Sequence, residues 1–134
     1  MAIAFGPQLI GCTEKALNAI LARELAGTGV TEPQWVALTM TILRPGAVGP
    51  IGDALKVDEA TARRHVADLA ALGLADAITV EATAEGRALW EGVRAGTAEM
   101  TALLWGDQPE ADLAVTARVL NTILQRADAV LPQA

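Results

Sequence analysis

The chain has 134 residues, enough for one compact domain, and its single cysteine excludes an internal disulfide or a cysteine-based zinc site. Hydrophobic residues make up 52% of the sequence but Tyr is absent, so leucine, alanine and valine must fill the core, which predicts a mainly helical fold. The formal net charge of −6 is unfavourable for binding phosphates. No apolar run is long enough to cross a bilayer, so we expect the protein to be cytoplasmic.

Two helices are predicted before residue 46 from apolar residues at three- and four-residue steps. The first spans 6–26 and stops at Gly27-Thr28-Gly29. Thr31 and Gln34 have the spacing of a capping box, so the second helix begins there and ends at Pro45-Gly46.

Two further helices are predicted between residues 49 and 73. Gly49-Pro50 opens a short helix over 51–57, because proline suits a first helical turn. Asp58 then caps a helix over 58–72 that Gly73 ends. The predicted inward face of this helix carries Ala62, His65, Val66 and Leu69.

Only residues 77–82 have convincing strand character, and they allow one very small hairpin. Thr83 then caps a long helix that ends at Trp105-Gly106-Asp107, and a last helix spans 110–131. Trp90 and Trp105, on the long helix, are expected to pack at an interface. Two helices joined by a tight turn, with basic residues on the outer face of the second and a hairpin after it, form the plan of a winged helix-turn-helix.

Three stretches of the sequence resemble the MarR family of bacterial transcriptional regulators, within a region spanning 9–104. TEPQWVAL (31–38) resembles the opening of the family's second helix. DEATARRHVADLAALGL (58–74) resembles its recognition helix with a Gly-Leu exit. TAEGRAL (83–89) is similar to the start of its dimerisation helix.

This resemblance implies a homodimer of single-domain chains. Residues 31–87 would form the winged helix-turn-helix part, and the N- and C-terminal helices, 1–30 and 88–134, would form an intertwined dimerisation region. It implies a repressor that binds a palindromic operator in double-stranded DNA and is released by a small aromatic or phenolic effector. Leucine-rich faces on the first and last helices also favour a two-fold dimer.

The helix over 58–72 is predicted to enter the major groove. Arg63 and Arg64 are candidates for contacts with guanine edges or phosphates. The alternative is a solvated helix face on which they pair with Glu59 and Asp68 at four-residue spacing. The complete predicted DNA surface comprises Lys56, Glu59, Ala60, Thr61, Arg63, Arg64 and Ala67.

The connection after this helix departs from the family pattern. Family members usually carry a longer wing with an arginine at its tip, whereas residues 75–82 contain no Lys or Arg and carry Asp76 and Glu81. Over residues 44–87, five basic side chains face seven acidic ones. The alternative prediction is a dimeric ligand-binding or protein-docking module of winged-helix fold that has lost operator binding.

Several other residues could bind a ligand or take part in chemistry. An effector pocket would be lined by Arg23, Trp35, Leu38 and Arg87, and a pure core role is the alternative for Trp35. His65 is expected to pack with one hydrogen-bond partner rather than to act as a pH switch. Cys12 is out of register with the sensing cysteine of peroxide-responsive relatives. The sequence shows neither a nucleophile paired with a general base nor a phosphate-binding loop, so we do not expect an enzyme. We also expect no cofactor and no metal.

Overall fold

Helices and one small hairpin make up the regular structure in a computed structural model of the protein, which describes residues 2–133. The elements in chain order are α1 (Pro7–Leu25), α2 (Glu32–Leu43), α3 (Gly49–Leu55), α4 (Glu59–Ala71), β1 (Ala75–Asp76), β2 (Glu81–Ala82), α5 (Ala84–Trp105), α6 (Glu110–Val130) and a short 3-10 helix (Leu131–Gln133). The two strands pair antiparallel. The predicted mainly helical fold with one small hairpin is confirmed.

The chain divides into two compact units, Met1–Ala98 and Glu99–Ala134. The first unit contains α1 to α4, the hairpin and most of α5. The second contains the last turns of α5 together with α6.

Short-range capping fixes the starts of α2 and α4. The Thr31 hydroxyl accepts from the Gln34 N–H at 3.4 Å, while the Gln34 side-chain oxygen accepts from the Thr31 N–H at 3.0 Å, so the predicted capping box is confirmed. The Asp58 carboxylate accepts from the Thr61 N–H at 2.8 Å at the start of α4. These bonds satisfy amide groups that a first helical turn leaves without intrahelical partners.

A tight turn joins α3 to α4. Lys56 adopts a left-handed backbone with φ of 58°, and the Val57 N–H donates to the Gly52 carbonyl at 3.1 Å. A Cβ at Gly52 would lie 3.1 Å from the Val57 carbonyl oxygen, so little room for a side chain exists there. The turn places Asp58 at the N-cap of α4 three residues after α3 ends.

The core of the first unit lies where α4 packs on α2 and α3. Leu38 of α2, Ile51 of α3 and Leu69 of α4 have no exposed surface, and Val66 of α4 is also buried. Fully burying one such side chain stabilises the fold by about 1.5–3 kcal/mol. Because one side of α4 is buried in this way, the opposite side is left to solvent.

The predicted strand over residues 77–82 is wrong in its position. Residues 77–80 form the turn of the hairpin, and only the last two predicted residues belong to a strand. The cause is Asp76, whose Oδ1 accepts from the N–H groups of Ile78 at 2.8 Å and Thr79 at 3.0 Å. A side chain that captures two following amides closes a turn in place of a strand ladder.

Val80 completes this turn from the other side. It adopts a left-handed backbone with φ of 55°, which is unusual for a β-branched residue, and its N–H donates to the Asp76 carbonyl at 2.9 Å. Its own carbonyl accepts from the Gly46 N–H at 3.1 Å. The Val80 side chain is thereby buried, whereas Ile78 at the tip is 93% exposed.

The start of α5 packs on the segment that leaves α4. The Thr83 hydroxyl donates to the Gly73 carbonyl at 2.7 Å and accepts from the Gly86 N–H at 3.0 Å, so the predicted cap is confirmed. The Thr83 N–H donates to the Leu74 carbonyl at 3.0 Å. Gly86 is buried, and a Cβ there would overlap the Leu74 carbonyl, so this junction requires glycine.

The second unit leaves large apolar side chains exposed. No residue of α6 is buried within the described chain. The exposed apolar residues of α6 include Val115, Leu120, Ile123, Leu124 and Val130. Several of them recur at three- and four-residue steps, which makes α6 an amphipathic helix.

Candidate nucleic-acid interface

The candidate interface is the exposed side of α4, which we call the α4 outer face. Its members recur at three- and four-residue steps, because the residues between them turn toward α2 and α3. It comprises the exposed residues Glu59, Ala60, Arg63, Arg64 and Ala67. Five of the seven residues of the predicted DNA surface thus lie together on one solvent-facing side of one helix.

The guanidinium of Arg63 is held by the carboxylate of Glu59, one helical turn earlier. Arg63 Nη2 and Nε donate to Glu59 Oε1 at 2.7 and 3.2 Å. The two side chains remain 60% and 67% exposed, so their ion pair contributes little to folding stability. Arg63 therefore forms the ion pair with Glu59 that their four-residue spacing allows.

Arg64 forms no ion pair within the described part of the chain. Asp68, four residues later, accepts instead from Gln34 Nε2 at 3.5 Å and so joins α4 to α2. Hydrogen bonding from Thr61 holds the pKa of the Asp58 carboxyl below its usual value, and the charge of Arg64 lowers it further. Arg64 is therefore an exposed cation close to the start of α4.

The other two residues of the predicted DNA surface flank the α4 outer face. Lys56 is exposed in the turn before α4, and Thr61 is half-buried in its first turn. Among the seven predicted residues there are three cations and one carboxylate, Glu59. These seven residues are therefore net positive, but the exposed carboxylates of Asp58, at the start of α4, and Asp68, within it, bring the local balance to three cations and three carboxylates.

The hairpin presents acidic and apolar groups. Donation from the N–H groups of Thr79 and Ile78 holds the pKa of the Asp76 carboxyl below its usual value, so this residue is ionised at neutral pH. Glu81 is exposed on the second strand, and Ile78 occupies the tip. The hairpin offers no cation to a phosphate.

Trp35, predicted to line an effector pocket, belongs to an aromatic cluster in the first unit. Its ring stacks on that of Trp90, with centroids 6.5 Å apart and planes 25° apart. Trp90 Nε1 donates to the Thr39 hydroxyl at 3.0 Å, and the Arg94 guanidinium carbon lies 4.7 Å from the Trp90 ring centroid. Trp90 is only 7% exposed, so the expectation that it packs at an interface is wrong. The four-residue spacing of Trp90 and Arg94 is the sequence signal that could have revealed their contact.

The remaining residues predicted for the effector pocket differ in accessibility. Arg23 and Arg87 are exposed, whereas Leu38 has no exposed surface because it lies on the inward side of α2. Leu38 therefore cannot contact a ligand in this conformation, and its inclusion was wrong. Two open depressions beside α3 share Gly49 and Asp53 and include none of the four predicted residues.

Other groups with potential chemistry are isolated. His65 is half-buried, and its Nδ1 atom is buried without a hydrogen-bond partner in the described residues, so the expected bond is not formed at that atom. Cys12 is exposed on α1. Residues 2–133 contain no group of three or more His, Cys, Asp or Glu placed to hold a metal ion. None of the described helices combines the length and the apolar character needed to span a membrane.

In comparisons with known proteins, no family model matches the chain, and no curated protein sequence matches it. The candidate role of the α4 outer face rests on its residues and their geometry.

Proposed function

We propose that the protein is a transcriptional regulator of the MarR type that binds operator DNA as a homodimer and represses transcription. In this proposal α3 and α4 are the helix-turn-helix, the β1–β2 hairpin is the wing, and α4 enters the major groove. The observation that carries it is the α4 outer face. This face offers Arg63 and Arg64 to solvent from a helix whose other side is anchored on α2 and α3.

The shape and chemistry of α4 suit the major groove. That groove is about 12 Å wide and accepts an α-helix, and arginine is the commonest side chain to recognise guanine there. Recognition helices contact base edges through their N-terminal residues, and both arginines lie in the first two turns of α4. Ala60 and Ala67 add only methyl groups to this face, so they permit a close approach to the floor of the groove.

The junction around Gly86 supports the family resemblance. Gly73 and Leu74, at the exit of α4, accept hydrogen bonds from Thr83. Thr83 in turn accepts from Gly86 at the start of α5. Two of the three family-like stretches therefore perform one structural task, which is to close the base of the hairpin and set the direction in which α5 leaves it.

A homodimer is part of the proposal because α6 carries exposed apolar residues at helical spacing. A two-fold arrangement would cover the same surface on both copies. It would also present two α4 helices to the two halves of a palindromic operator.

The proposal includes a small-molecule effector. A small aromatic or phenolic acid bound near Trp35, with Arg23 or Arg87 meeting its carboxylate, would lower the affinity for the operator. Both arginines are exposed, which supports such a contact.

Titration of the purified protein against DNA from upstream of its own gene tests the proposal. A labelled fragment and a fragment of the same composition in shuffled order are compared at several salt concentrations. We expect selective binding, with log K falling against log salt by about 0.9 for each phosphate contacted. Arg64→Ala should weaken binding, whereas Arg118→Ala, an exposed arginine on α6, should change it much less.

A second candidate function is a dimeric ligand-binding or protein-docking module that does not bind an operator. The hairpin favours it, because Asp76 and Glu81 repel phosphates and Ile78 offers an apolar contact instead. A dimer that binds neither fragment at low salt would support this function over the first.

A further inference from the structure

We infer that Glu59 is a positioning residue that orients Arg63 to read a guanine in each half of the operator, while Arg64 contacts a phosphate. This inference rests on the proposed function and deepens it, because it assigns the class of base that α4 selects.

The hydrogen-bonding geometry of Arg63 leaves one edge of its guanidinium open. Nε and Nη2 form one edge, and both donate to Glu59 Oε1, at 3.2 and 2.7 Å. Nη1 and the second N–H of Nη2 form the other edge, which has no partner among the described residues. This open edge carries two parallel donors, the arrangement that fits the O6 and N7 acceptors of guanine.

The charges around the two arginines separate their roles. Arg63 and Glu59 together are neutral, and the carboxylate beside Arg63 repels a phosphate, so the pair gains little from counterion release. A guanine edge carries no formal charge and imposes no such penalty. Arg64 forms no ion pair or side-chain hydrogen bond within the described residues, and the Asp58 carboxylate interacts with it through charge alone, so the N–H donors of its guanidinium are available to a phosphate.

The position of the pair on α4 agrees with this assignment. Glu59 is the first residue of the helix and Arg63 lies one turn later, in the part of a recognition helix that contacts bases. Holding a long side chain in one orientation before binding also lowers the conformational entropy that is lost when DNA binds. Glu59 therefore influences which base α4 selects by orienting Arg63, without contacting the base itself.

Selection from a random DNA library with the full-length protein is the test, followed by affinity measurements on the selected site and on a shuffled site. We expect the wild type to select guanine at one fixed position in each half-site. Arg63→Ala removes both donors, so the preference for that guanine over other bases should fall by about five- to 150-fold. Arg64→Ala should weaken binding to both DNAs and leave the guanine preference intact.

Glu59 variants separate positioning from simple charge effects. Glu59→Gln removes a negative charge near the DNA, so affinity for the shuffled site should rise while guanine discrimination falls by about two- to fivefold, the size of an exposed ion pair. Glu59→Asp keeps the charge but shortens the reach to Arg63, so discrimination should fall without that rise. Glu91→Gln, an exposed carboxylate on α5, is the charge-matched control and should leave discrimination unchanged.

Two results would overturn the inference while leaving the proposed function standing. One is an unchanged guanine preference in both Glu59 variants, and the other is loss of that preference in Arg64→Ala but not in Arg63→Ala. Failure of the wild type to select any sequence overturns the inference and the proposed function together.

Discussion

Gly86 lies at the point where the start of α5 meets the backbone of Leu74. A Cβ added there would overlap the Leu74 carbonyl, and a carbonyl cannot move aside as a flexible side chain can. We expect Gly86→Ala to lower the free energy of unfolding by about 1–3 kcal/mol, the usual cost of overpacking a buried position. Urea denaturation measures this change.

Gly92 provides the matched control on the same helix. It is exposed, and no atom lies within 4 Å of the Cβ that a substitution would add. Alanine is favoured over glycine in a helix interior by about 0.5–1 kcal/mol, so Gly92→Ala should be stabilising. A Gly86→Ala variant as stable as the wild type, or one stabilised as Gly92→Ala is, would contradict the close contact at Gly86.

Asp58 links the stability of α4 to pH. Hydrogen bonding from Thr61 places its pKa in the folded protein below the usual value of 3.8, so the folded state favours the carboxylate. This contribution to stability is complete above pH 3.8 and is lost as the pH falls through the lower folded-state pKa.

Asp58→Asn isolates this titration, because asparagine keeps the N-cap without an ionisable group. We expect the difference in thermal unfolding midpoint between wild type and variant to be constant from pH 5 to 8 and to change in the variant's favour below about pH 3.8. Asp76, whose pKa is also lowered, titrates in both proteins and cancels. A difference that stays constant down to pH 2 would refute a role for the Asp58 charge.

Residue-scale features were predictable where their cause is local in sequence. The capping box at Thr31, the N-cap at Asp58 and the Glu59–Arg63 pair each join residues three or four positions apart. The burial of Trp90 was not predictable in this way, because it depends on Trp35 and Thr39, more than 50 residues earlier in the chain.

At the scale of elements, the hairpin shows how one side chain can override an apolar pattern. Residues 77–80 have the composition of a strand, but Asp76 captures two of their amide groups and Val80 is tied to Gly46, 34 positions away. The alternation of apolar residues along the sequence predicts neither of these contacts. The helices other than α3 were easier to predict because their pattern extends over three turns or more and outweighs any single side chain.

Replacing Asp76 tests whether its side chain holds the hairpin turn. In Asp76→Ala the amides of Ile78 and Thr79 lose their acceptor, so we expect faster hydrogen exchange at these two positions. Amides in the middle of α4 should be unaffected, because their acceptors are helix carbonyls. Unchanged exchange at Ile78 and Thr79, followed by NMR, would argue that Val80 and Gly46 hold the turn without Asp76.

For the whole molecule, the exposed apolar side of α6 predicts self-association. We expect wild-type protein to sediment with twice the mass of one 13.9 kDa chain. Leu120→Glu combined with Leu124→Glu places charges on that side and should shift the mass toward one chain. Gln125→Glu, exposed on the polar side, is the control and should leave the dimer intact. A monomeric wild type would remove the two-fold geometry on which palindromic recognition depends.

The placement of the α4 outer face followed from sequence, because the spacing of Ala62, Val66 and Leu69 fixed which side of the helix is buried. The residues of the proposed effector pocket could not be predicted from helical spacing in the same way. They come from three different helices, and whether they share a cavity depends on packing that no local pattern encodes. Leu38 illustrates this, since its place on the apolar stripe of α2 predicts burial and gives no information about access to a ligand.

Binding of the full-length protein to its own upstream DNA tests whether the α4 outer face binds an operator. The measurement compares wild type and Arg64→Ala on the upstream and shuffled fragments across a series of salt concentrations. We expect selective binding by the wild type and a salt slope that is about 0.9 shallower in Arg64→Ala, the loss of one phosphate contact. Equal affinity of the wild type for both fragments at low salt, or identical slopes for the two proteins, would contradict this expectation.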